Sequence, residues 1–353
     1  MIERINVLMS PGRVRANLNR YIPSLVENIR AIGDHVNHWR PYLPYQNGDV
    51  FHVHWPELFI DSGFNGGHQL IDAFIQRNFW ATIDRVRSGG GALVWTAHNL
   101  TPHSEELSAS DVWRRYFARF CSSLDGVIYL TEASKDSLHA AYPFLRDVPM
   151  ATARHMHMRA AMPAPSGRNY RTELGIPPHV RVLAAIGRIT RQKGTILLAR
   201  EFMEQSQPSD WLLLAGEADS LLREEIEFCA RLSRGNIVTI FETLTDQQIV
   251  DIHESIDAVA FLSTCHLNSG TVMQALSCSR PVIVYDTPSN RELKNNVANG
   301  GVFFTSPGKL MSDFNKIEIF DRSTRHKINL NAFDPLAVAS QHSEAYRSFL
   351  RVT

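Results

Sequence analysis

Four cysteines in 353 residues, none in a CxxC pair, rule out a disulfide scaffold and leave reduced thiols as the expectation. No apolar run approaches the roughly 18 residues of a membrane span. The start, "MIERINVLMS", enters a strand at once and lacks the apolar core and small-residue cleavage site of a signal peptide. Formal net charge is zero, so no bulk electrostatic attraction to nucleic acid is available. There is no repeat of fixed period and no low-complexity tract. The amino-terminal half is poor in lysine and uses arginine instead. A cytoplasmic globular protein of two domains fits these bounds.

What is present is alternation. "INVLM" (5–9) reads as a strand, and Leu18, Ile22, Leu25, Ile29 and Ile32 then mark one helix face. "DVFHVHW" (49–55), "GALVWTAHN" (91–99), "DGVIYLT" (125–131) and "DVPMATARH" (147–155) read as further strands, with a helix on Ile71, Ile75, Phe79, Ile83 and Val86. Residues 161–181, rich in Pro and Gly and without periodicity, read as a linker. The pattern restarts with "RVLAAIG" (181–187), "DWLLLAG" (210–216), "NIVTIF" (236–241), "DAVAFLS" (257–263) and "PVIVYD" (281–286). Thr245 and Gln248 have the spacing of a capping box. The expectation is an α/β chain of two doubly wound, Rossmann-like domains, 1–165 and 166–334, facing across a cleft. The last helix, about 335–353, is expected to pack back on the first domain.

Ligands of such sheets bind beyond the carboxyl ends of the strands. In the second half, "GRITRQKG" puts Arg188 and Lys193 on one loop before a helix, a pairing that suits a diphosphate. "HLNSGT" puts Asn268, Ser269, Gly270 and Thr271 at another helix start, with no acid among them. Ser269 can cap, Gly270 admits close approach, and the first-turn amides lack helical partners. In the first half, the loops after strands carry His52, His54, Trp55 and Glu57, then His98, Asn99, His103, Glu105 and Glu106, then Arg154, His155 and His157. HxH pairs bind metals, but buried histidines and a polar wall for hydroxyls are the more economical reading. Glu57 and Glu105 lie just past strand ends, where a general base belongs. Asn17 and Asn19 flank a helix start and suit either a cleft or solvent.

These motifs, in this order, resemble glycosyltransferases of the GT-B fold. "YRTELGIPPHVRVLAAIGRITRQKGTILLA" is similar to the start of the nucleotide-sugar domain of that superfamily, and its Arg and Lys match Arg188 and Lys193. "HVHWPE", "HNLTPHSE", "NLNRY" and "HLNSGTVMQALSCSRPVI" resemble bacterial exopolysaccharide β-1,4-mannosyltransferases of the xanthan-pathway type. Many retaining members carry two glutamates eight residues apart; His266 and Gln274 stand here instead. The resemblance therefore implies an inverting hexosyltransferase without metal or cofactor. The donor would be GDP-mannose, with a UDP-sugar as alternative, and the acceptor a polyprenyl-diphosphate-linked oligosaccharide. Retaining transfer, a nucleotide-sugar 2-epimerase and a non-catalytic binding subunit are the competing readings. The implied base is Glu57, then Glu105 or His103. Arg188, Lys193, Asn268–Thr271, His98, Gly216 and Phe241 would hold the donor, and Asn17, Asn19, His54, Trp55 and Asn99 the acceptor. "DVWRRYFARF" (111–120) suits either a surface helix packed on the core or one lying on anionic lipid at the inner face of the plasma membrane.

Overall fold

The computed structural model describes residues 4–11, 20–44, 46–60, 69–102, 105–263, 267–298, 300–317 and 328–350, with 69, 70, 105 and 106 described by backbone alone. The chain divides into two units, Met1–Met156 with Phe333–Thr353, and His157–Ala332.

The first unit contains β1 (Asn6–Ser10), α1 (Tyr21–Ala31), β2 (His35–His38), β3 (Val50–Val53), a 3-10 turn (Pro56–Phe59), α2 (Gln69–Ser88) and β4 (Ala92–Ala97). It continues through α3 (Glu105–Ala109), α4 (Asp111–Ser122), β5 (Gly126–Tyr129), α5 (Glu132–Ala141) and β6 (Met150–Thr152). Its six strands lie in the order β2-β1-β3-β4-β5-β6, every pairing parallel. The second unit contains α6 (Tyr170–Glu173), β7 (Val182–Ile186), α7 (Thr195–Gln205), β8 (Trp211–Ala215), α8 (Ser220–Leu232), β9 (Asn236–Ile240) and α9 (Asp246–Ser255). It ends with β10 (Ala258–Phe261), α10 (Gly270–Ser277), β11 (Val282–Tyr285), α11 (Pro288–Asn296), β12 (Val302–Thr305) and α12 (Leu310–Lys316). Its six strands, again parallel, run β12-β11-β10-β7-β8-β9. The last helix, α13 (Pro335–Phe349), belongs to the first unit and packs on α1, β4, β5 and β6.

Central strands are apolar and buried on both faces, as a helix-covered parallel sheet requires: β3, β4, β5, β10 and β11 are buried at every position. The α/β reading with two Rossmann-like units holds. β2 and β12 were not anticipated, because "HVNH" and "VFFT" are short edge strands. The strand expected over 147–155 shrinks to the three edge residues of β6. Thr245 and Gln248 do form the capping box.

The stretch expected as a linker is anchored within the second unit. Ser166 donates from N and Oγ to Asp251, at 2.8 and 2.6 Å. The buried Arg171 guanidinium bonds the Ser255 and Val180 carbonyls and the Asp257 carboxylate, each at 2.7–2.8 Å. Side-chain bonds to a neighbouring helix and strand replace the hydrophobic periodicity that the sequence lacks here.

The segment 111–120 is α4, and its Trp113, Tyr116, Phe117 and Phe120 are buried while Arg114, Arg115 and Arg119 face solvent. It is a surface helix with its aromatic side on the core. Among the described residues no helix is long and apolar enough to cross a membrane.

Candidate active site

In both sheets the chain leaves the first strand in one direction and returns on its other side, so the strand order switches at β1/β3 and at β7/β10. In open parallel sheets of this kind, ligands bind beyond the carboxyl ends of the strands at such a switch point.

At the second switch point, Gly187 follows β7 with φ +105°, a conformation that costs glycine little. A Cβ built on Gly187 would stand 3.8 Å from both Lys193 Nζ and Thr271 Oγ1, so these two side chains converge over one backbone position. Lys193 is half-buried. Burial, and then the Arg188 guanidinium beside it, hold its ammonium below the ordinary lysine value. A cation kept in that state gains most when an anion enters. Arg188 itself is exposed.

Across the switch, Ser269 caps α10 and accepts from Val272 N at 3.3 Å. The first turn holds no acidic residue, and the helical ladder starts only with Met273 N to Ser269 O. The amides of Gly270 and Thr271 precede that bond and point along the helix axis toward the loop. The Asn268 Nδ2 is sealed from solvent without a hydrogen-bond partner among the described residues. A buried amide donor in that state calls for an acceptor from outside the protein.

Gly216 ends β8 beside this loop with φ +150°, and a Cβ there would overlap the Gly187 carbonyl. Its N–H already bonds Ile240 O at 2.8 Å, so its contribution is clearance. Phe241 is half-buried; the Arg223 guanidinium lies 5.3 Å over its ring and reaches its carbonyl at 3.5 Å. Arg188, Lys193, Thr271 and Gly216 thus surround Gly187, with Asn268–Gly270 on the adjoining helix start.

In the first unit, His54, Trp55, Glu57, His98 and Asn99 line one small cavity of about 10 Å³, together with Trp95, Trp113 and Phe117. Glu57 sits in the first turn of the Pro56–Phe59 helix, and burial pushes its carboxyl up to about 7, against a smaller opposing pull from its own backbone N–H. Next to it, His54 Nδ1 and His98 Nε2 are 2.9 Å apart. His52 bonds Thr96 Oγ1 at 2.6 Å and the Tyr346 hydroxyl at 2.8 Å. His342 Nε2 lies 3.4 Å from the Tyr21 hydroxyl, and its Nδ1 2.9 Å from Val338 O. Burial first, then mutual repulsion, keeps His52 and His54 well below the ordinary histidine value. Burial brings His155 and His342 to about 4.

The histidines thus pair with one another and with hydroxyls. Among the described residues no group of three or more His, Cys, Asp or Glu is placed to hold a metal ion. His155 belongs to the first unit and His157 to the second. Asn17, Asn19, His103 and His266 lie outside the described residues, as does the side chain of Glu105, whose backbone begins α3. Sequence reading missed Trp95, Tyr21, Tyr346 and His342. Trp95 carried a usable signal, as a bulky residue near the carboxyl end of a strand.

Two consecutive parallel α/β units, with loop sites at their switch points, define a Rossmann-pair fold of the GT-B type. Residues 180–316 match the family described as Glycosyl transferases group 1, so the second unit carries a glycosyltransferase domain and the chain is an enzyme of that class. The chain is similar to sucrose-phosphate synthase from Thermosynechococcus elongatus, with 14% identity, TM-score 0.68, and 98% of this chain and 99% of that one covered. It is similar to Anabaena HepE solved with UDP and glucose, with 16% identity, TM-score 0.64, and 98% and 100% covered. It is similar to a UDP-forming trehalose-phosphate synthase from Burkholderia xenovorans, with 13% identity, TM-score 0.58, and 84% and 72% covered. At these identities the likeness is one of fold. No curated protein matches the chain.

Proposed function

We propose that the protein is an inverting hexosyltransferase that moves a sugar, mannose from GDP-mannose by preference, onto a polyprenyl-diphosphate-linked oligosaccharide in exopolysaccharide synthesis. The observation that carries this reading is the convergence of Lys193 and Thr271 over Gly187, beside Arg188 and a sealed, unpartnered Asn268 amide. Two cations and a helix start match the charge that develops on a departing nucleoside diphosphate.

The mechanism follows from the residues. Lys193, Arg188 and the first-turn amides of α10 neutralise the leaving diphosphate. Glu57, with a carboxyl that titrates near neutrality, takes the proton of the acceptor hydroxyl as that oxygen attacks the anomeric carbon. His54, Trp55 and Asn99 line the acceptor side, His98 meets an oxygen of the donor, and the loop at Phe241 holds the base. Gln274, half-buried on α10, stands where retaining relatives keep a glutamate, which supports single displacement. The basic face of α4, with Arg114, Arg115 and Arg119 exposed, supports contact with the anionic inner membrane surface where such an acceptor resides.

HepE was solved with UDP and glucose, which favours a UDP-sugar as the second reading. Thermal shift with GDP and UDP separates the two, since a ligand at a hundred times its Kd adds about 2.7 kcal/mol. Nucleoside diphosphate release that depends on the lipid-linked acceptor supports transfer. Interconversion of free nucleotide sugar indicates an epimerase, and binding without turnover a non-catalytic subunit.

A further inference from the structure

The helix α8 carries two apolar stripes where a surface helix needs one. Leu222, Ile226 and Cys229 recur at spacings of four and three and are buried in the core of the second unit. Leu221, Phe228 and Leu232 recur at spacings of seven and four, which is a second helix face. They are 67%, 54% and 58% exposed. A single exposed leucine needs no explanation, but three large apolar side chains aligned over about 16 Å of helix do. Glu225 lies on the same face between Leu221 and Phe228, and its carboxylate is already paired with Arg191 at 3.2 Å and Arg200 at 3.3 Å. Three residues before Arg200 on α7 stands Leu197, itself exposed, which extends the apolar edge.

Charge adds a second observation. Glu224 and Arg231 flank the stripe on one side, both exposed, and neither makes an ion pair among the described residues. They are seven residues apart, about 10 Å along the axis, beyond the three- or four-residue spacing at which helix side chains pair. A two-fold axis across the middle of α8 would set a second copy antiparallel to the first. Leu221 of each copy then meets Leu232 of the other, the two Phe228 rings meet near the axis, and Glu224 faces Arg231 twice. The three pairings are centred within two residues of one another, about 3 Å of helix, so one register satisfies them all. A two-fold contact must be self-complementary in this way. Zero formal net charge lets two copies approach without overall repulsion. Glu224 and Glu227 beside the stripe disfavour an anionic lipid surface as its occupant.

We propose that the exposed face of α8 is a homodimer interface, covered by the same face of a second copy of this chain in antiparallel register. The contact lies within the second unit and does not depend on the transferase reading. One helix pair with its α7 edges is a small interface, so the dimer is a weak one, with a Kd on the order of micromolar.

The test is sedimentation velocity of the full chain over a range of about 1–200 μM, chosen to bracket that Kd. The expected result is a monomer–dimer equilibrium. Glu224→Arg and Arg231→Glu each set like charges opposite one another and should raise the dimer Kd at least tenfold. Mixing the two variants in equal amounts restores opposite charges at both ends of the contact and should recover a dimer. Both exchanges in one chain should recover it too. Phe228→Glu should leave a monomer. All these side chains are exposed, and far-UV circular dichroism checks the fold; should Phe228→Glu fail to fold, the charge exchanges carry the test. A wild type that stays monomeric throughout overturns the proposal and leaves this face to a different partner. A dimer untouched by the three single changes, or one weakened by the reversals and not recovered on mixing, overturns it as well.

Discussion

Lys193 Nζ and Thr271 Oγ1 stand at equal distance, 3.8 Å, from the point where a side chain on Gly187 would begin. Lys193, on the loop after β7, and Thr271, in the first turn of α10, are 78 positions apart in sequence (271 − 193) and adjacent only because β10 pairs with β7. The space between them is kept open by a residue that has no side chain.

Lys193→Ala removes one of two cations from that space. A hydrogen bond to a charged group is worth about 1.5–3 kcal/mol, so nucleoside diphosphate affinity should fall roughly tenfold to a hundredfold. Calorimetric titration reads this directly. Affinity equal to wild type in a folded variant would remove Lys193 from the phosphate site.

Glu57 sets a pH dependence. A general base acts ionised, so kcat/KM should rise with pH and level off above about 7. Glu57→Gln should lose roughly 10²- to 10⁴-fold and the inflection with it. Stability moves the other way. The folded carboxyl binds its proton more tightly than the unfolded one, so this residue's contribution is full below 4.5 and is lost as pH rises through about 7. Glu57→Gln should flatten that decline in urea unfolding monitored on the first unit.

The histidine cluster has the opposite sign. His155 and His342 titrate at about 4 in the folded chain against 6.5 unfolded, and His52 and His54 shift in the same direction. Their contribution is complete above 6.5 and is lost as pH falls toward 4, at about 1.4 kcal/mol per pH unit for each ring. Urea midpoints for the first unit should therefore drop steeply across that window. A His342→Gln variant should show a shallower drop.

Gly126, at the start of β5, lies against the Phe349 ring, and a Cβ there would overlap it. Gly126→Ala should destabilise the docking of α13 by about 1–3 kcal/mol, the scale of overpacking. Faster hydrogen exchange confined to α13, β5 and β6 is the expected readout.

The basic face of α4 gives a fifth test. Replacing Arg114, Arg115 and Arg119 together by serine should reduce co-sedimentation with anionic vesicles by about 1 kcal/mol per arginine while leaving nucleotide binding unchanged. Equal sedimentation would remove this helix from the membrane proposal.

Much of this was legible in the sequence because parallel strands are apolar along their length: "VLAAI", "WLLLA" and "VIVY" announce themselves, and the polar residues after them fall at the crevice. Arg188, Lys193 and Ser269 are candidates picked out that way. The partners of the histidines could not. His52 bonds Tyr346 across 294 positions, and Tyr21 meets His342 across 321, and no local periodicity encodes such distances. Residues 161–181 misled for the converse reason: their order comes from Arg171 and Ser166, polar side chains that leave no apolar rhythm.

The helix that closes the first unit, α13, follows the whole second unit in the sequence. On the ribosome, the opening sheet must therefore wait, with His52 and Tyr21 lacking their companions, while the whole second unit is translated. Birth order and assembly order differ by design of the thread. Until α13 is made, the sides of α1, β4, β5 and β6 that it covers stay open.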